Sequence, residues 1–310
     1  MKFTKLKNAI VYRATLPAVE TIGSHLAELP YADIGETEFS RFSFVENPVT
    51  GEIVTPITGG YAVCLHADEK IIPTQVIKKE AIARISSIEG RLGQRISKVE
   101  KQQIIDTVKV DLCKQAFVKT SLIYALYHAE ERLLMVNTTS QRYAGIIGAM
   151  LVKVVGSIKT ETIHISDIKN GLTTRLKNYI GGDTDAFDGF EVGDVIQLSR
   201  RAESKETIRY SAEHQSVVSE IEESLGSGFT VDSIQLFSNG TGFVLTENFH
   251  FRRIDTKSAD RNDGDDKAFI WRQAAGTDLF LMAGVVNKLC NLLSYKEEGN
   301  TAVQDSNTAD

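Results

Sequence analysis

Two consecutive amphipathic helices over residues 75–116 are the feature that most constrains the fold of this chain. Apolar residues recur there at spacings of 4, 4, 3, 4 and 4, which places them on one face of a helix. They are Ile77, Ala81, Ile85, Ile88, Leu92 and Ile96. Gly90 and Gly93 weaken the end of this helix, because a glycine costs about 1 kcal/mol relative to alanine inside a helix. The helix is therefore expected to end in the stretch that contains these glycines.

The second helix begins with a capping box. Ser97 and Glu100 have the spacing at which a serine hydroxyl and a glutamate carboxylate bond the free backbone amides of a helix start. The apolar positions that follow, to about Ala116, are Ile104, Ile105, Val108 and Leu112. Two helices joined by the turn at 90–101 predict a helical hairpin over residues 75–116.

The rest of the chain mixes strand and helix patterns without the regular βαβ order of a nucleotide-binding sheet. The strand patterns cover residues 8–13, 60–67, 69–74, 121–128, 132–137, 161–165, 190–201, 231–238, 242–247 and 250–254. The remaining helix patterns cover residues 20–30, 140–155, 166–180, 214–225 and 277–295. Asp68 and Glu69 are predicted to form a turn between two strands, and residues 200–206 to open a polar loop. The predicted class is α+β, with mixed antiparallel sheets and a protruding helical hairpin.

These patterns suggest a division of the chain into four parts. Residues 1–74 together with 117–180 are predicted to form a central α+β domain, from which the basic hairpin at 75–116 protrudes as a tip. Residues 181–295 are predicted to form a C-terminal α+β region that ends in an apolar helix. The polar and acidic residues 296–310 are predicted to be a disordered tail.

Positive charge is concentrated around the predicted hairpin. The chain has a formal charge of -6, but the window from Lys70 to Lys119 carries +6, so the remainder carries -12. The eleven basic residues of the window are Lys70, Lys78, Lys79, Arg84, Arg91, Arg95, Lys98, Lys101, Lys109, Lys114 and Lys119. Long basic side chains also flank the apolar stripe of ordinary surface helices. The residues alone leave open whether this charge is solvated or binds a polyanion.

Two further features bear on that choice. Phe117 lies between Lys114 and Lys119, where an aromatic ring can stack on or wedge into nucleic acid, although a lone Phe is more often part of a core. Arg200 and Arg201 end a predicted strand, where two guanidinium groups can reach a phosphate or remain solvated.

The sequence lacks the short motifs of several enzyme classes. It has no GxxxxGK[ST] phosphate loop, no GxGxxG after a strand and no HExxH or GxSxG motif. Three cysteines without CxxC spacing predict buried free thiols, and the acidic loop at 258–267 lacks the ligand positions of a calcium loop. We therefore expect no cofactor, no metal and no membrane association. The possibility that distant residues assemble a carboxylate cluster in the fold stays open.

Four segments resemble the bacterial RdgC family of recombination-associated proteins. They are KNAIVYR at 7–13, EKIIPTQVIKKE at 69–80, the EKQQ-to-KQAF segment at 100–117 and DLFLMAGVVNKLCNLL at 278–293. The resemblance implies an α+β subunit of a ring-shaped homodimer that binds double-stranded DNA with little sequence preference and has no catalytic activity. It also implies a role in restraining recombination by the RecA recombinase, and a cytoplasmic, nucleoid-associated protein.

The resemblance also implies particular DNA-binding residues. Arg95, Lys98 and Lys101 match the family's basic hairpin turn, and Phe117 matches its Phe after the second helix. Arg200 and Arg201 lie near a basic pair that would sit at a subunit contact of the ring. The full set of predicted DNA-binding residues is Lys78, Arg91, Arg95, Lys98, Lys101, Lys114, Phe117, Lys119, Arg200 and Arg201. The chain departs from the family at Lys114, where a Pro would be familiar, and at Ser97 in the turn, where the family has a basic residue.

Three functional hypotheses follow. The first is a non-enzymatic, sequence-nonspecific duplex clamp that acts as a homodimer and competes with RecA. The second is a metal-dependent DNA-processing enzyme, which would form products with magnesium. The third is a protein-interaction scaffold whose apolar C-terminal helix carries an interface and which has no affinity for DNA.

Overall fold

The computed structural model describes residues 5–29, 31–156, 160–162, 168–211, 216–256 and 266–293. This part of the chain is α+β, as predicted. Its strands are β1 (Ala9–Ala14), β2 (Ser40–Val45), β3 (Val54–Ile57), β4 (Gly60–Lys70), β5 (Val118–His128), β6 (Leu133–Val136), β7 (Thr160–Thr162), β8 (Glu191–Arg201), β9 (Lys205–Tyr210), β10 (Thr230–Ser238), β11 (Thr241–Thr246) and β12 (His250–Thr256). Its helices are α1 (Val19–Ala27), α2 (Thr74–Leu92), α3 (Lys98–Gln115), α4 (Gln141–Val155), α5 (Ile168–Ile180), α6 (Val218–Gly226) and α7 (Lys267–Leu292), with a short 3₁₀ helix at Thr184–Phe187.

The twelve described strands form one sheet and not the several sheets predicted, and every pairing in it is antiparallel, as predicted. The strand order is β2-β4-β5-β6-β1-β12-β11-β10-β8-β9, with β3 paired to β4 and β7 paired to β1. The first strand of the chain thus lies in the middle of the sheet, where it joins the early strands to the late ones. The predicted division into domains stays a prediction.

Two hydrophobic cores lie on opposite faces of this sheet. Successive side chains of a strand point to opposite faces, and along β4 the residues Ala62 and Cys64 belong to one core while Val63 and Leu65 belong to the other. The larger core is formed by one face of the sheet, along both the early strands β1 and β3–β6 and the late strands β8–β12, with α5, α6 and α7. The smaller core is formed by the opposite face of the early strands with α1 and α4.

The second face of β8–β12 lies outside both cores in the described part of the chain. Phe243 and Leu245 of β11 belong to the larger core, so the alternate residue Val244 points to the other side of the sheet. The smaller core contains no residue of β8–β12. We call this second face of β8–β12 the open face.

The helical hairpin is present where the sequence predicts it. α2 starts after Pro73 and ends at Gly93, which has the left-handed φ of 65° and donates its N–H to the carbonyl of Glu89. Glycine adopts this conformation without steric cost, so Gly93 terminates the helix. The predicted capping box of α3 is confirmed: Glu100 N–H donates to the Ser97 hydroxyl, and Ser97 N–H donates to the Glu100 carboxylate.

Two predictions about strands are wrong. Asp68 and Glu69 do not form a turn, because β4 runs without a break through both, opposite Thr120 and Lys119 of β5. The Asp68 carboxylate is buried and accepts a hydrogen bond from the Thr120 hydroxyl, so a polar pair fits inside the strand. The predicted polar loop at 200–206 is in fact a tight hairpin, in which Lys205–Tyr210 forms β9 and pairs with β8.

Other predictions have simpler outcomes. The C-terminal helix is confirmed but begins ten residues earlier than predicted, at Lys267, where the Asp266 carboxylate caps it by accepting from Ala268 N–H. The three cysteines are buried thiols outside any disulfide, as predicted. The end of the predicted strand at 163–165, most of the acidic loop at 258–267 and the tail at 296–310 lie outside the described residues.

Candidate nucleic-acid interface

The acidic residues of the hairpin are used within the hairpin. Arg84 of α2 bonds Glu80 on its own helix (Nε to Oε1, 3.0 Å) and Asp111 on α3 (Nη1 to Oδ2, 2.7 Å). The hydrogen bond from Arg84 lowers the pKa of Asp111 below its usual value. One guanidinium thus pairs with two carboxylates and ties the two helices together.

Glu89 fixes the tip of the hairpin. Its carboxylate accepts hydrogen bonds from the backbone N–H of Ile96 (3.1 Å) and from the Lys101 ammonium (3.0 Å). The hydrogen bond from Lys101, and after it the hydrogen bond from Ile96 N–H, lowers the pKa of Glu89. Glu89 at the end of α2 therefore holds both the connecting turn and the first turn of α3.

The other two carboxylates of the window are also engaged. Asp106 accepts a hydrogen bond from Lys109 on the same helix at 2.9 Å, and Glu100 belongs to the capping box. All five acids between Lys70 and Lys119 therefore serve three cations and one helix cap.

Eight cations of the window form no ion pair with any described residue. They are Lys70, Lys78, Lys79, Arg91, Arg95, Lys98, Lys114 and Lys119. All except the half-buried Lys70 are exposed. The +6 charge of the window therefore lies on the solvent side of the hairpin and at its base, which makes this surface attractive to a polyanion.

The structure brings together most of the predicted binding residues. Six of them lie on the hairpin, in the turn between its helices or on the first residues of β5: Lys78, Arg91, Arg95, Lys98, Lys114 and Lys119. Lys101 is on the same hairpin, but its ammonium is paired with Glu89. It is less available to a phosphate than its neighbours in the turn.

Phe117 lies between α3 and β5 with 84% of its surface exposed. Its carbonyl accepts a hydrogen bond from Ile71 N–H at 2.9 Å, and the carbonyl of Phe39 accepts one from Lys70 N–H. These contacts join three segments that each carry exposed apolar side chains at the base of the hairpin. We call them the base patch: Phe39, Ile71, Val76, Phe117 and Val118.

The predicted Arg200–Arg201 pair is divided between the two faces of the sheet. Arg200 lies on the larger-core side of β8, where it bonds Glu206 (Nη2 to Oε2, 2.6 Å) and lies 4.6 Å above the ring of Phe229. The next residue on a strand points to the opposite face, so exposed Arg201 lies on the open face, opposite Lys205. β8 and β9 form one end of the sheet, whereas the hairpin connects β4 and β5 near the other end.

Sequence reasoning missed a second group of cations at the junction of β1 and β12, which includes Lys7, Arg252 and Arg253. The only signal was the segment HFRRI, whose two consecutive arginines interrupt the alternation of a strand. The described residues contain no group of three or more His, Cys, Asp or Glu side chains arranged to hold a metal ion. None of the described helices is long and apolar enough to span a membrane.

Comparison with known proteins identifies the family of this chain. The family described as "Putative exonuclease, RdgC" matches residues 5–296. The chain belongs to the RdgC family. It is 28% identical over 294 residues to the recombination-associated protein RdgC of Psychromonas ingrahamii, a match that covers 91% of this chain and 94% of that protein.

Other relatives carry the same name. The recombination-associated protein RdgC of Salmonella paratyphi B is 27% identical over 299 residues, which covers 93% of this chain and 95% of the relative. That of Janthinobacterium sp. is 23% identical over 287 residues, which covers 91% of this chain and 94% of the relative. The resemblance in the four segments is therefore confirmed over nearly the whole length of this RdgC protein.

Proposed function

We propose that this RdgC protein is a non-enzymatic, sequence-nonspecific binder of double-stranded DNA. The observation that carries the proposal is the charge arrangement of the hairpin. Its five acids serve three cations and a helix cap, while eight cations remain without an ion pair among the described residues. A duplex carries about one negative charge per 1.7 Å, so it matches a surface with many unpaired cations.

The types of these cations favour nonspecific contact. Six of the eight are lysines, and only Arg91 and Arg95 are arginines. An ammonium group is a point charge that binds phosphates readily, whereas sequence readout depends on side chains aimed at base edges from within a groove. Contact with the DNA backbone is what such a surface supports best.

We further infer a homodimer closed into a ring. A ring of two identical subunits needs two separate self-contacts, each formed by the same surface of both subunits. The exposed apolar base patch is a surface of the kind that marks an interface, so we assign Phe117 to a self-contact instead of the DNA contact that the sequence suggests. The edge strand β9 near Arg201 supplies the second contact, since its free backbone groups can pair with another strand.

Occupation of duplex DNA connects this binding to recombination. The relatives are named recombination-associated proteins. A protein that encircles duplex DNA limits the access of the RecA recombinase to it, and this competition restrains strand exchange. We expect the protein in the cytoplasm, associated with the nucleoid.

The test is binding to a labelled random-sequence duplex, followed by fluorescence anisotropy across a salt series. The triple variant R91Q/R95Q/K98Q removes three unpaired cations of the hairpin tip, and it leaves the Lys101–Glu89 pair intact. The salt dependence, plotted as log K against log salt, has a slope of about -0.9 per phosphate contact, so we expect its magnitude to fall by about 2.7. The matched control K153Q/K177Q/K267Q removes three exposed lysines from α4, α5 and α7.

Three results would overturn the proposal. Equal affinity and equal slope in the two triple variants would remove the hairpin as the DNA-binding surface. Shortening of an end-labelled duplex on incubation with magnesium would favour the exonuclease that the family description names. Self-association without any binding to duplex DNA at low salt would favour a protein-interaction scaffold instead.

A further inference from the structure

A second group of cations lies at the junction of β1 and β12, in the middle of the sheet. The two strands pair antiparallel, with Ala9 opposite Phe251 and Ile10 opposite His250. Beyond these pairs, Ile254 N–H donates to the carbonyl of Lys7 at 2.8 Å. This contact brings Lys7 alongside the two arginines that precede Ile254.

A β-bulge exposes both arginines. Between the pairs Gly242–Asp255 and Val244–Arg252, β11 contributes one residue and β12 contributes two, so the register shifts. Phe251 and Ile254 both belong to the larger core, and Arg252 and Arg253 between them are exposed. The extra residue therefore gives two consecutive guanidinium groups on the surface, where a regular strand would give one.

Arg253 adopts a backbone conformation that disfavours arginine. Its φ is +52°, in the left-handed region that glycine and asparagine tolerate better than other residues. Its N–H is held by the side-chain oxygen of Asn8 at 3.3 Å. A non-glycine residue in this conformation is uncommon, and such outliers concentrate at functional sites.

The segment before β1 is fixed in place beside the bulge. The Asn137 side chain accepts hydrogen bonds from the N–H groups of Lys7 and Asn8, both at 3.3 Å, and donates to the carbonyl of Lys5 at 3.1 Å. Leu6 between the lysines is buried in the larger core, and its N–H donates to the Asp278 carboxylate. Lys5 and Lys7 are thus exposed on an ordered backbone.

Within the described residues no ion pair compensates the charge of this group, although Lys5 acts electrostatically on the buried Asp278 carboxylate. None of the described carboxylates forms an ion pair with Lys5, Lys7, Arg252 or Arg253. Burial, and to a lesser extent the positive charge of Arg252, lowers the pKa of neighbouring His250. Four cations without an ion pair, carried on a hydrogen-bonded backbone, are unexpected in the part of the chain that carries -12 outside the hairpin window.

We propose that Lys5, Lys7, Arg252 and Arg253 form a second phosphate-binding site, which contacts the backbone of the same DNA duplex as the hairpin. Two adjacent guanidinium groups suit phosphate oxygens, which they can bind with two parallel hydrogen bonds each. A duplex supplies several phosphates within the reach of four side chains, whereas a single phosphate group would leave most of them unused. The site extends the proposed function and rests on it.

The test compares two charge-matched triple variants in the anisotropy salt series, with a duplex long enough to span both sites. K7Q/R252Q/R253Q removes three cations of the new site, and K153Q/K177Q/K267Q is the control. We expect the slope of the first variant to fall in magnitude by about 2.7 and that of the control to stay at the wild-type value. If K7Q/R252Q/R253Q behaves like the control while R91Q/R95Q/K98Q loses slope, the second site is refuted and the proposed function stands. If wild-type protein does not bind duplex DNA, both are refuted.

A single substitution separates binding from a structural role. In R253G the left-handed conformation carries no steric penalty, so the bulge is retained. We expect R253G to unfold at the same temperature as wild type or at a higher one. We also expect the slope of log K against log salt to be smaller in magnitude by about 0.9. A lower unfolding temperature with unchanged DNA binding would show that Arg253 serves the fold and would overturn its assignment to the site.

Discussion

Glu89 offers a test in which removal of one carboxylate should strengthen DNA binding. Glu89 holds the Lys101 ammonium at 3.0 Å and the N–H of Ile96 at 3.1 Å. In E89Q the amide oxygen can still accept from Ile96, so the turn keeps its shape, but Lys101 loses its counter-charge. Lys101 then becomes a ninth unpaired cation of the window. One added phosphate contact steepens the salt slope by about 0.9, which corresponds to about eightfold tighter binding at about 0.1 M salt.

The assay is fluorescence anisotropy with wild type, E89Q and E20Q in parallel. E20Q makes the same change of charge at an exposed residue of α1, away from the hairpin. It controls for the general effect of a less acidic protein. Circular dichroism checks whether the helix content of E89Q equals that of wild type. Affinity in E89Q that is no higher than in E20Q, with helix content intact, would refute the idea that unpaired hairpin cations determine the binding.

Two further predictions concern association and pH. F117S should weaken self-association, measured by sedimentation velocity, but change the free energy of unfolding by no more than about 0.5 kcal/mol, because Phe117 is 84% exposed. The control is F280S, at a Phe of α7 that is 71% exposed. Equal self-association of the two variants would contradict the role of the base patch. Asp278 accepts hydrogen bonds from Leu6 N–H and from the Thr256 hydroxyl, and burial raises its pKa in the folded protein. The contribution of Asp278 to folding stability is therefore fully present below its pKa in the unfolded chain, and it is lost as the pH rises through its pKa in the folded protein. The side-chain amide introduced by D278N cannot ionise, so the unfolding temperature of D278N relative to wild type should increase from about pH 4 to about pH 7, and a constant difference would count against this account.

The features that the sequence predicts well depend on local patterns. α2 and α3 follow from a 3.6-residue apolar period, a glycine at the helix end and a capping box, all of which lie within about one turn of the residues they affect. The concentration of basic residues is likewise visible in the sequence. What the sequence could not predict is which cations are paired, because the Arg84–Asp111 contact joins residues on two different helices.

The errors come from contacts between distant parts of the chain. Asp68 and Glu69 have the composition of a turn, but Thr120 and Arg142 bond their carboxylates and so allow β4 to continue. The sequence does not predict β9, because this strand depends on its pairing with β8, and the register of that pairing decides which of its residues face the core. The exposure of Arg253 likewise depends on a bulge against β11, which is set by the pairing of the sheet and leaves only a doubled arginine in the sequence.

The two proposed binding sites share one property that separates them from the rest of this acidic protein. In the hairpin, every carboxylate of the window is engaged with a cation or a helix cap, and the charge that remains is positive and exposed. At the β1–β12 junction, a bulge exposes Arg252 and Arg253 with no ion pair to a described residue. Net charge hides both surfaces, because the chain as a whole carries -6. A negatively charged exterior limits unspecific contacts, so a polyanion is held only where cations are left unpaired, and the pattern of unpaired cations is a better guide to the binding surface than the overall charge.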